Sequence, residues 1–518
     1  MATAPRAEVS GVKPSLGLTG ATVNAMALIA PGAFLWITFQ LQAAATAPSG
    51  ASVGSDIWAG IGFALLLAFL SAICYAELAR LYPEAGFGSC YYFAEKVFLD
   101  RQTAAHARWV RSAKLVTGWA AHLYYWVYPG CMVAFTATLG GYVYTQLTGR
   151  TPSLTALTVF AVGFAALTGY IASRGVTGST MTALVINIVQ LVTLVAFSAF
   201  AIAYRRTDPG GNNHWTFSSA WDVVRPHSVM GVLIQSTLAI LILVGFESCT
   251  ALAAETKDAR RTIPRAVILS LLIQGLFAYL LEYFAAGYML SDQLVATDAS
   301  KAVVTGMAAA ATSSAPIGDL AILVGNRLLG GIGFGLMISM AVTVMLALLG
   351  TTLSCMNTAA RVSYAMAKDR EMPELLGLLH DRHATPARAI WVLVAVSCVI
   401  AAIGVQSVVG LTGITLASNF GTFALYGLTC LWTIIAFGGA ARDAHVVKHR
   451  IVPLLGLVAN LVMLAAILYL YVIGNADSKK EALICFAITG AWAVLSLLYF
   501  VLTGRRRRLA VAPGAVGS

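Results

Sequence analysis

Two long stretches of this chain, residues 14–55 and 389–441, contain no Asp, Glu, Lys or Arg. A helix crosses a bilayer with about 20 mostly apolar residues, so the first stretch has room for one membrane span and the second for two. The mean hydropathy is +0.80 and 11% of the residues are charged, against roughly 25% in soluble domains. These features exclude a soluble protein and predict an all-α, polytopic membrane protein.

The apolar segments predict twelve transmembrane helices, with two long outer loops at 204–228 and 291–321. With the N-terminus inside, 25 of the 33 Lys and Arg residues lie on that side and 8 on the other. This bias predicts that both termini are cytoplasmic and that the chain lies in the cytoplasmic (inner) cell membrane. The predicted spans are 20–45, 57–79, 115–146, 154–173, 178–204, 228–253, 265–290, 325–356, 389–406, 412–438, 452–474 and 481–503.

Two of the predicted spans are interrupted near their centres. The first contains Pro31, which has no backbone N–H, followed by Gly32, and the sixth contains Gly245 and Glu247. Each interrupted span begins a block of five spans. Because five is odd, the second block starts on the opposite side of the membrane, and the blocks are predicted to be inverted repeats. Broken helices at matching positions of two halves are typical of the substrate site of a secondary transporter.

This pattern divides the chain into six predicted parts. Two repeats of five helices form the centre, and two further helices follow them. The parts are a cytoplasmic N-tail at 1–19, the first repeat at 20–204, an extracellular loop at 205–227, the inverted second repeat at 228–438, helices eleven and twelve at 439–503, and a basic cytoplasmic C-tail at 504–518.

Four segments carry a resemblance to a known family. Residues 75–86 read YAELARLYPEAG, 245–265 read GFESCTALAAETKDARRTIPR, 357–370 read NTAARVSYAMAKDR, and 416–426 read LASNFGTFALY. Together they resemble the amino acid–polyamine–organocation (APC) superfamily of secondary transporters, across spans one to ten. The resemblance implies the leucine-transporter-like fold, a five-plus-five inverted repeat, with the last two helices as an addition.

In that fold the substrate lies between the two broken spans. Backbone N–H groups at the break of the first span are expected to hold an anionic group. Carbonyls at the break of the sixth span are expected to accept hydrogen bonds from an ammonium. Phe246 is a candidate aromatic lid, with core or lipid packing as the alternative. Glu247 is a candidate counter-charge for an amino group or a proton-coupled gate, and the alternative is a protonated carboxyl bonded to a neighbouring helix. The candidate substrate-binding residues are Ala30, Pro31, Gly32, Ala33, Phe34, Val244, Gly245, Phe246 and Glu247.

The sequence at the first break differs from that of the family's amino acid transporters, which usually have Gly-Ser/Thr-Gly at this position. This chain has Ala30, Pro31 and Gly32, which removes one N–H donor and resembles the polyamine-importing branch. We therefore expect a secondary active transporter of amino acids or related amines that works by alternating access. A polyamine or organocation importer, an amino acid exchanger and a non-transporting sensor on the same fold are the alternatives.

The coupling ion is expected to be Na⁺ or H⁺, or absent in an exchanger, and no other cofactor is expected. Some proton-coupled relatives place a lysine in the fifth span, where this chain has Gln190. Hydroxyls of the eighth span, together with carbonyls near Ala27 and Ala30, are candidate ligands of a small cation. Back-bonding of these hydroxyls to the preceding helical turn is the alternative. The ion-coupling candidates are Ala27, Gln190, Thr351, Thr352 and Ser354.

Charged residues near the inner face are either a solvated cluster that sets topology or an inner gate. In the second case one of Glu77, Glu84 and Glu255 pairs with Arg265 or Arg361 when the path is closed. Two further ionisable residues lie inside apolar segments. We expect His122 to be a satisfied core residue and Glu282 to pair with a neighbouring span.

Other functional classes lack their signatures in this sequence. There is no G-x-x-x-x-G-K-[ST] loop for ATP, no CxxC or Cys/His cluster for a metal, and no symmetric pore motif for a channel. The basic residues follow the membrane topology and do not form a nucleic-acid-binding patch. The expected partners are therefore a small-molecule solute and the lipid bilayer, without nucleic acid, and no enzymatic activity is expected.

Overall fold

The computed structural model describes residues 15–29, 35–83, 89–99, 109–175, 180–207, 217–290, 293–298, 300–380, 385–438 and 445–511. The helices are α1 (Leu18–Ile29), α2 (Leu35–Ala44), α3 (Ile57–Leu81), α4 (Cys90–Leu99), α5 (Val110–Thr148), α6 (Leu154–Ser173), α7 (Thr180–Arg206), α8 (Phe217–Val224), α9 (Val229–Ala239), α10 (Ala259–Leu271), α11 (Leu280–Met289), α12 (Gly306–Thr312), α13 (Pro316–Leu328), α14 (Gly333–Lys368), α15 (Ala387–Gly404), α16 (Val408–Phe437), α17 (Val452–Ile473) and α18 (Ala476–Val511). Short 3-10 helices cover Gly54–Asp56, Ile240–Ile242, Phe246–Glu255 and Glu374–Gly377, π-helices cover Leu272–Tyr279 and Val447–Ile451, and two strands are β1 (Val295–Thr297) and β2 (Val303–Thr305).

Nine helices of the described part are long and apolar enough to cross a membrane. The number is ten when α9 with its 3-10 extension and the segment Phe246–Ala253, which meet at a bend of 40°, are taken as one span. The chain is therefore an all-α, multi-pass membrane protein. The two other predicted spans coincide with α1 followed by α2, and with α5, which is 39 residues long. The total of twelve and the inverted repeat stay predictions.

The segment 291–321 lies between the seventh and eighth spans, as predicted, but it contains helices and strands, and the predicted start of the eighth span at residue 325 is wrong. The segment folds into an antiparallel hairpin of β1 and β2, followed by α12 and α13. A turn at Gly330 and Gly331, with φ of +67° and +93°, then separates α13 from α14. Glycine adopts this backbone conformation readily, so the apolar run is divided into two helices that hydropathy alone joins.

The outer helices and the central helices differ in what they present to their surroundings. Large apolar side chains are exposed on α6, α7, α17 and α18, for example Val159, Val192, Leu468 and Leu498, as expected for helices that face lipid. The centre is formed by α1, α5, α14 and α16 with the segments around Gly245, and it buries many tyrosines and hydroxyl side chains. Polar chemistry is therefore concentrated along the axis of the bundle.

Candidate functional site

The first broken span is described on both sides of its break, up to Ile29 and again from Leu35. The predicted binding residues Ala30, Pro31, Gly32, Ala33 and Phe34 lie outside the described residues. The last four carbonyls of an α-helix have no partner within the helix, and in a membrane they need one from elsewhere. Side chains from other elements supply it: Gln274 Nε2 donates to the carbonyl of Met26 at 2.9 Å, Thr351 Oγ1 to Ala27 at 3.1 Å, Tyr128 OH to Leu28 at 3.4 Å and Tyr279 OH to Ile29 at 3.0 Å.

The sixth span is broken at Gly245. Its φ is +121°, a conformation that residues with a Cβ rarely adopt. A Cβ at this position would lie 2.9 Å from the backbone N of Ile29 and the backbone C of Leu28. The ten residues Phe246–Glu255 that follow form a 3-10 helix, and such a long 3-10 run is uncommon inside a helix. The break of the sixth span therefore lies against the last residues of α1.

Glu247 lies two residues after this break in the sixth span and is 1% exposed. Tyr426 OH donates to its Oε2 at 2.7 Å, Tyr125 OH to its Oε1 at 3.2 Å, and the backbone N–H of Gly245 to its Oε2 at 3.1 Å. The two tyrosines belong to α16 and α5. The carboxyl thus joins the unwound segment to two neighbouring helices, and all three of these groups are donors.

An aromatic cluster surrounds the carboxyl. Phe246, the candidate lid, lies 5.2 Å from the ring of Tyr426 and 6.1 Å from that of Tyr75. Tyr75 meets Tyr426 edge to face at 5.7 Å, and Tyr125 packs on Tyr124 at 4.4 Å. Each of these rings is at most 2% exposed, so in this conformation the cluster is closed to solvent. Aromatic faces around a carboxylate are a favourable setting for an organic cation.

The candidate carbonyls at the break of the sixth span are buried beside the aromatic cluster. Val244 and Gly245 belong to the turn that links the short helix Ile240–Ile242 to the longer 3-10 helix. The carbonyl of Gly245 accepts from the N–H of Ser248 at 3.0 Å. Because a carbonyl has two lone pairs, this group can accept one further hydrogen bond.

The ion-coupling candidates are only partly brought together. Thr351 reaches the carbonyl of Ala27, as described above, which joins α14 to α1. Thr352 donates instead to Leu348 of its own helix at 2.6 Å, which is the back-bonded alternative. Ser354 is half-buried. Gln190 on α7 is 3% exposed, and its Oε1 has no hydrogen-bond partner among the described residues.

One pair among the inner-gate candidates is formed. Arg361 Nη1 of α14 lies 2.8 Å from Glu255 Oε1, at the end of the 3-10 helix. Glu77 does not join it, because Glu77 pairs with Arg80 at 2.5 Å and lies 3.3 Å from His449 Nε2. Arg265 is exposed on α10 and makes no ion pair within the described part of the chain, and Glu84 lies outside the described residues.

Backbone hydrogen bonds reinforce the same end of the bundle. The N–H groups of Ser15 and Leu16 donate to the carbonyl of Glu255 at 2.9 and 3.0 Å, and Lys257 N–H donates to the carbonyl of Leu16 at 2.8 Å. The segment before α1 is therefore attached to the end of the broken sixth span. The ion pair of Glu255 with Arg361 joins the same end of the sixth span to α14.

The two further ionisable residues that were singled out from the sequence inside apolar segments differ from each other. His122 is satisfied, as expected, with Nδ1 2.8 Å from the carbonyl of Gly118 and Nε2 3.0 Å from Ser363 Oγ. The expectation that Glu282 pairs with a neighbouring span is wrong for the described residues. Its side chain is 0% exposed and neither carboxyl oxygen has a hydrogen-bond partner there. Hydropathy shows that such a residue is buried, but it contains no information on what the residue faces.

Several side chains that complete the site were not singled out from the sequence. These are Tyr125, Tyr128, Tyr279, Tyr426 and Gln274. Tyr426 ends the quoted segment 416–426, and a run of aromatic residues at 124–128 includes Tyr125 and Tyr128. Phenol hydroxyls clustered in an apolar span are a usable signal, because a buried hydroxyl needs a partner. Their partners, however, are distant in the chain. Among the described residues no group of three His, Cys, Asp or Glu side chains converges as a metal site.

Comparison with known proteins agrees with this architecture. The amino acid permease family model matches residues 16–503. An uncharacterized transporter of Mycobacterium tuberculosis is 26% identical over 466 residues, which are 89% of this chain and 88% of that protein. The methylthioribose transporter of Bacillus subtilis is 24% identical over 406 residues (76% and 75%), and the low-affinity putrescine importer PlaP of Escherichia coli is 24% identical over 345 residues (65% and 64%). The chain therefore belongs to the amino acid permease family of the APC superfamily, whose members are membrane transporters and not enzymes.

Proposed function

We propose that this protein is a secondary active transporter that moves amino acids or related amines across the cytoplasmic membrane by alternating access around its two broken spans. The observation that carries the proposal is Glu247, a buried carboxyl at the break of the sixth span, which lies against the end of α1. Ionisable side chains inside a membrane protein mark substrate or ion pathways by default, because they are costly to keep there.

The hydrogen bonds of Glu247 indicate which chemical group it would receive. An ionised carboxylate has about four lone-pair sites, and Tyr125, Tyr426 and the N–H of Gly245 occupy three of them. An ammonium group supplies a donor and the opposite charge, and the rings of Phe246 and Tyr426 supply faces to a cation. We therefore assign the amino end of the substrate to this side of the site.

The opposite end of the substrate distinguishes the alternatives. A free α-carboxylate would be held by backbone N–H groups of residues 32–34, where Pro31 has removed one donor. A diamine would need no anion-binding site there. The family match favours amino acids, and the putrescine importer among the relatives favours the polyamine alternative. An amino acid exchanger would use the same residues without a coupling ion.

The ion pair at one end of the bundle supports a gating mechanism. Glu255 and Arg361 connect the sixth span to α14, and Glu247 is buried, so this conformation is closed around the site. With both termini cytoplasmic, the pair would face the cytoplasm. Separating it would let α14 move from the 3-10 helix and open a path to Glu247. The partial exposure of the pair, 21% and 26%, suits a contact that has to be made and broken.

The test is uptake into proteoliposomes that contain the purified protein. Radiolabelled leucine, arginine, putrescine and tyramine are offered one at a time, with a sodium gradient, with a pH gradient, or with unlabelled solute inside. We expect at least one amine-bearing solute to accumulate or exchange, and Glu247→Ala to abolish this activity. Binding without accumulation or exchange of any of these solutes would instead support a sensor.

A further inference from the structure

The π-helix Leu272–Tyr279 and the following α11 contact the two halves of the first broken span. Tyr279, the residue just before α11, donates from its hydroxyl to the carbonyl of Ile29 at the end of α1. Tyr283, one turn later, donates to Gln42 Oε1 of α2 at 2.6 Å, and its hydroxyl lies 3.2 Å from that of Thr38. A movement of either half against α11 would therefore change the surroundings of the residues between these two tyrosines.

Glu282 lies between these two tyrosines in the sequence. Its side chain is fully buried and neither oxygen is hydrogen-bonded among the described residues. Two charged side chains near α11 have other contacts: Arg205 lies over the ring of Tyr288, and Asp222 pairs with Arg225. None of the groups on the elements packed against α11 forms an ion pair with Glu282 in the described part of the chain: Tyr204, Arg205 and Arg206 on α7, Cys74, Tyr75, Glu77 and Arg80 on α3, Asp222 on α8, Asp319 and Arg327 on α13, Tyr279 in the preceding π-helix, and Tyr283 and Tyr288 on α11 itself.

The protonation state follows from this environment. A carboxylate in the interior of a membrane protein is stable only with a partner or with water. Because the side chain of Glu282 is fully buried and has no hydrogen-bond partner among the described residues, we expect its carboxyl to hold a proton in this closed conformation. A π-helix, Leu272–Tyr279, precedes this position, and π-helical turns inside helices often occur at functional sites.

We propose that Glu282 is the proton-binding group that couples transport to the pH gradient. This inference rests on the proposed transport function and names its coupling ion. In the closed conformation the carboxyl keeps its proton. When the halves of the first span move relative to Tyr279 and Tyr283, water reaches the carboxyl, the O–H bond breaks, and the proton passes to water on the receiving side. After the protein has reopened to the opposite side of the membrane, the carboxylate takes up a proton from that side, and the site then closes again.

The first test needs no transported solute. The melting temperature of the detergent-purified protein is measured between pH 5 and pH 8 for the wild type, for Glu282→Gln and for Glu374→Gln, a control at an exposed carboxyl. A buried acid that keeps its proton stabilises the fold at low pH and loses this contribution as the pH rises. We expect the wild type and Glu374→Gln to lose stability more steeply with pH than Glu282→Gln. Parallel curves for all three would overturn the assignment.

The second test separates coupling from solute binding. The assay again uses proteoliposomes with radiolabelled leucine and putrescine. Under a pH gradient, Glu282→Gln should accumulate at least about tenfold less solute than the wild type. Its solute-for-solute exchange should be unchanged. Loss of both activities would place Glu282 in the solute site, and unchanged accumulation would remove it from coupling, so either result overturns the proposal. Glu282→Met, which keeps the volume without a polar atom, replaces the glutamine variant if that variant fails to fold. A wild type that neither accumulates nor exchanges these solutes would instead refute the transport function, while the melting curves would still report on Glu282.

Discussion

Replacing Glu247 by glutamine removes the charge of the site while its hydrogen bonds can be kept. With the amide oxygen in the place of Oε2, it accepts from Tyr426 OH and from the N–H of Gly245, which lie at 2.7 and 3.1 Å in the wild type. The amide nitrogen then takes the place of Oε1 and donates to Tyr125 OH, since a phenol can also accept. The opposite orientation would direct amide hydrogens at the N–H of Gly245, so a single orientation is preferred.

The magnitudes follow from this geometry. Because the three hydrogen bonds are retained, we expect the free energy of unfolding to change by no more than about 1 kcal/mol. The bond to a substrate ammonium loses its charge, and hydrogen bonds to charged groups are worth about 1.5–3 kcal/mol. Binding should therefore weaken by roughly 10- to 150-fold.

Isothermal titration with the amine that the wild type transports measures this affinity, and the melting temperature without solute measures the stability. Tyr426→Phe is the matched control, because it removes a donor to Glu247 and leaves the carboxyl in place. We expect its affinity to fall less than that of Glu247→Gln. Wild-type affinity in Glu247→Gln would refute the assignment of this carboxyl to the substrate ammonium.

Three further predictions concern the surroundings of the site. Gly245→Ala should lower the free energy of unfolding by about 2–6 kcal/mol and abolish uptake, because it adds backbone strain at φ +121° and a contact with the end of α1 at 2.9 Å. Arg361→Gln should slow uptake with a change in stability below about 1 kcal/mol, because the ion pair with Glu255 is partly exposed. If uptake depends on sodium, Thr351→Val should raise the half-saturating sodium concentration several-fold, because its hydroxyl lies at the carbonyl of Ala27.

Each of these variants has a control within the chain. A melting curve of Gly245→Ala that matches the wild type would contradict the strain argument. The exchanged pair Glu255→Arg with Arg361→Glu should recover part of the uptake rate if the ion pair itself matters. Thr352→Val should leave the sodium dependence unchanged, because that hydroxyl is bonded within α14. Equal uptake in choline and in sodium buffer would exclude sodium coupling.

The sequence by itself determined the class of the molecule and the position of the break in its sixth span. Hydropathy is a property of neighbouring residues, so the limits of a span can be read from the chain, and the fourth span was predicted at the residues that α6 occupies. A glycine and a carboxyl inside an apolar segment were enough to single out Gly245 and Glu247. The same method failed at α13, because two helices separated by a glycine turn have the hydropathy of one.

Only the tertiary structure decided which groups share the site. Glu247 is bonded to residues 122 and 179 positions away in the chain, and no local pattern specifies such pairs. Several acids and two arginines were candidates for the inner gate, and the packing of α14 against the 3-10 helix brings Glu255 and Arg361 together as an ion pair. Glu282 looked from its sequence like one member of a buried pair. Whether a buried carboxyl meets a partner depends on the side chains that neighbouring helices turn towards it, which are set by how the helices pack and not by the residues on either side of it in the chain.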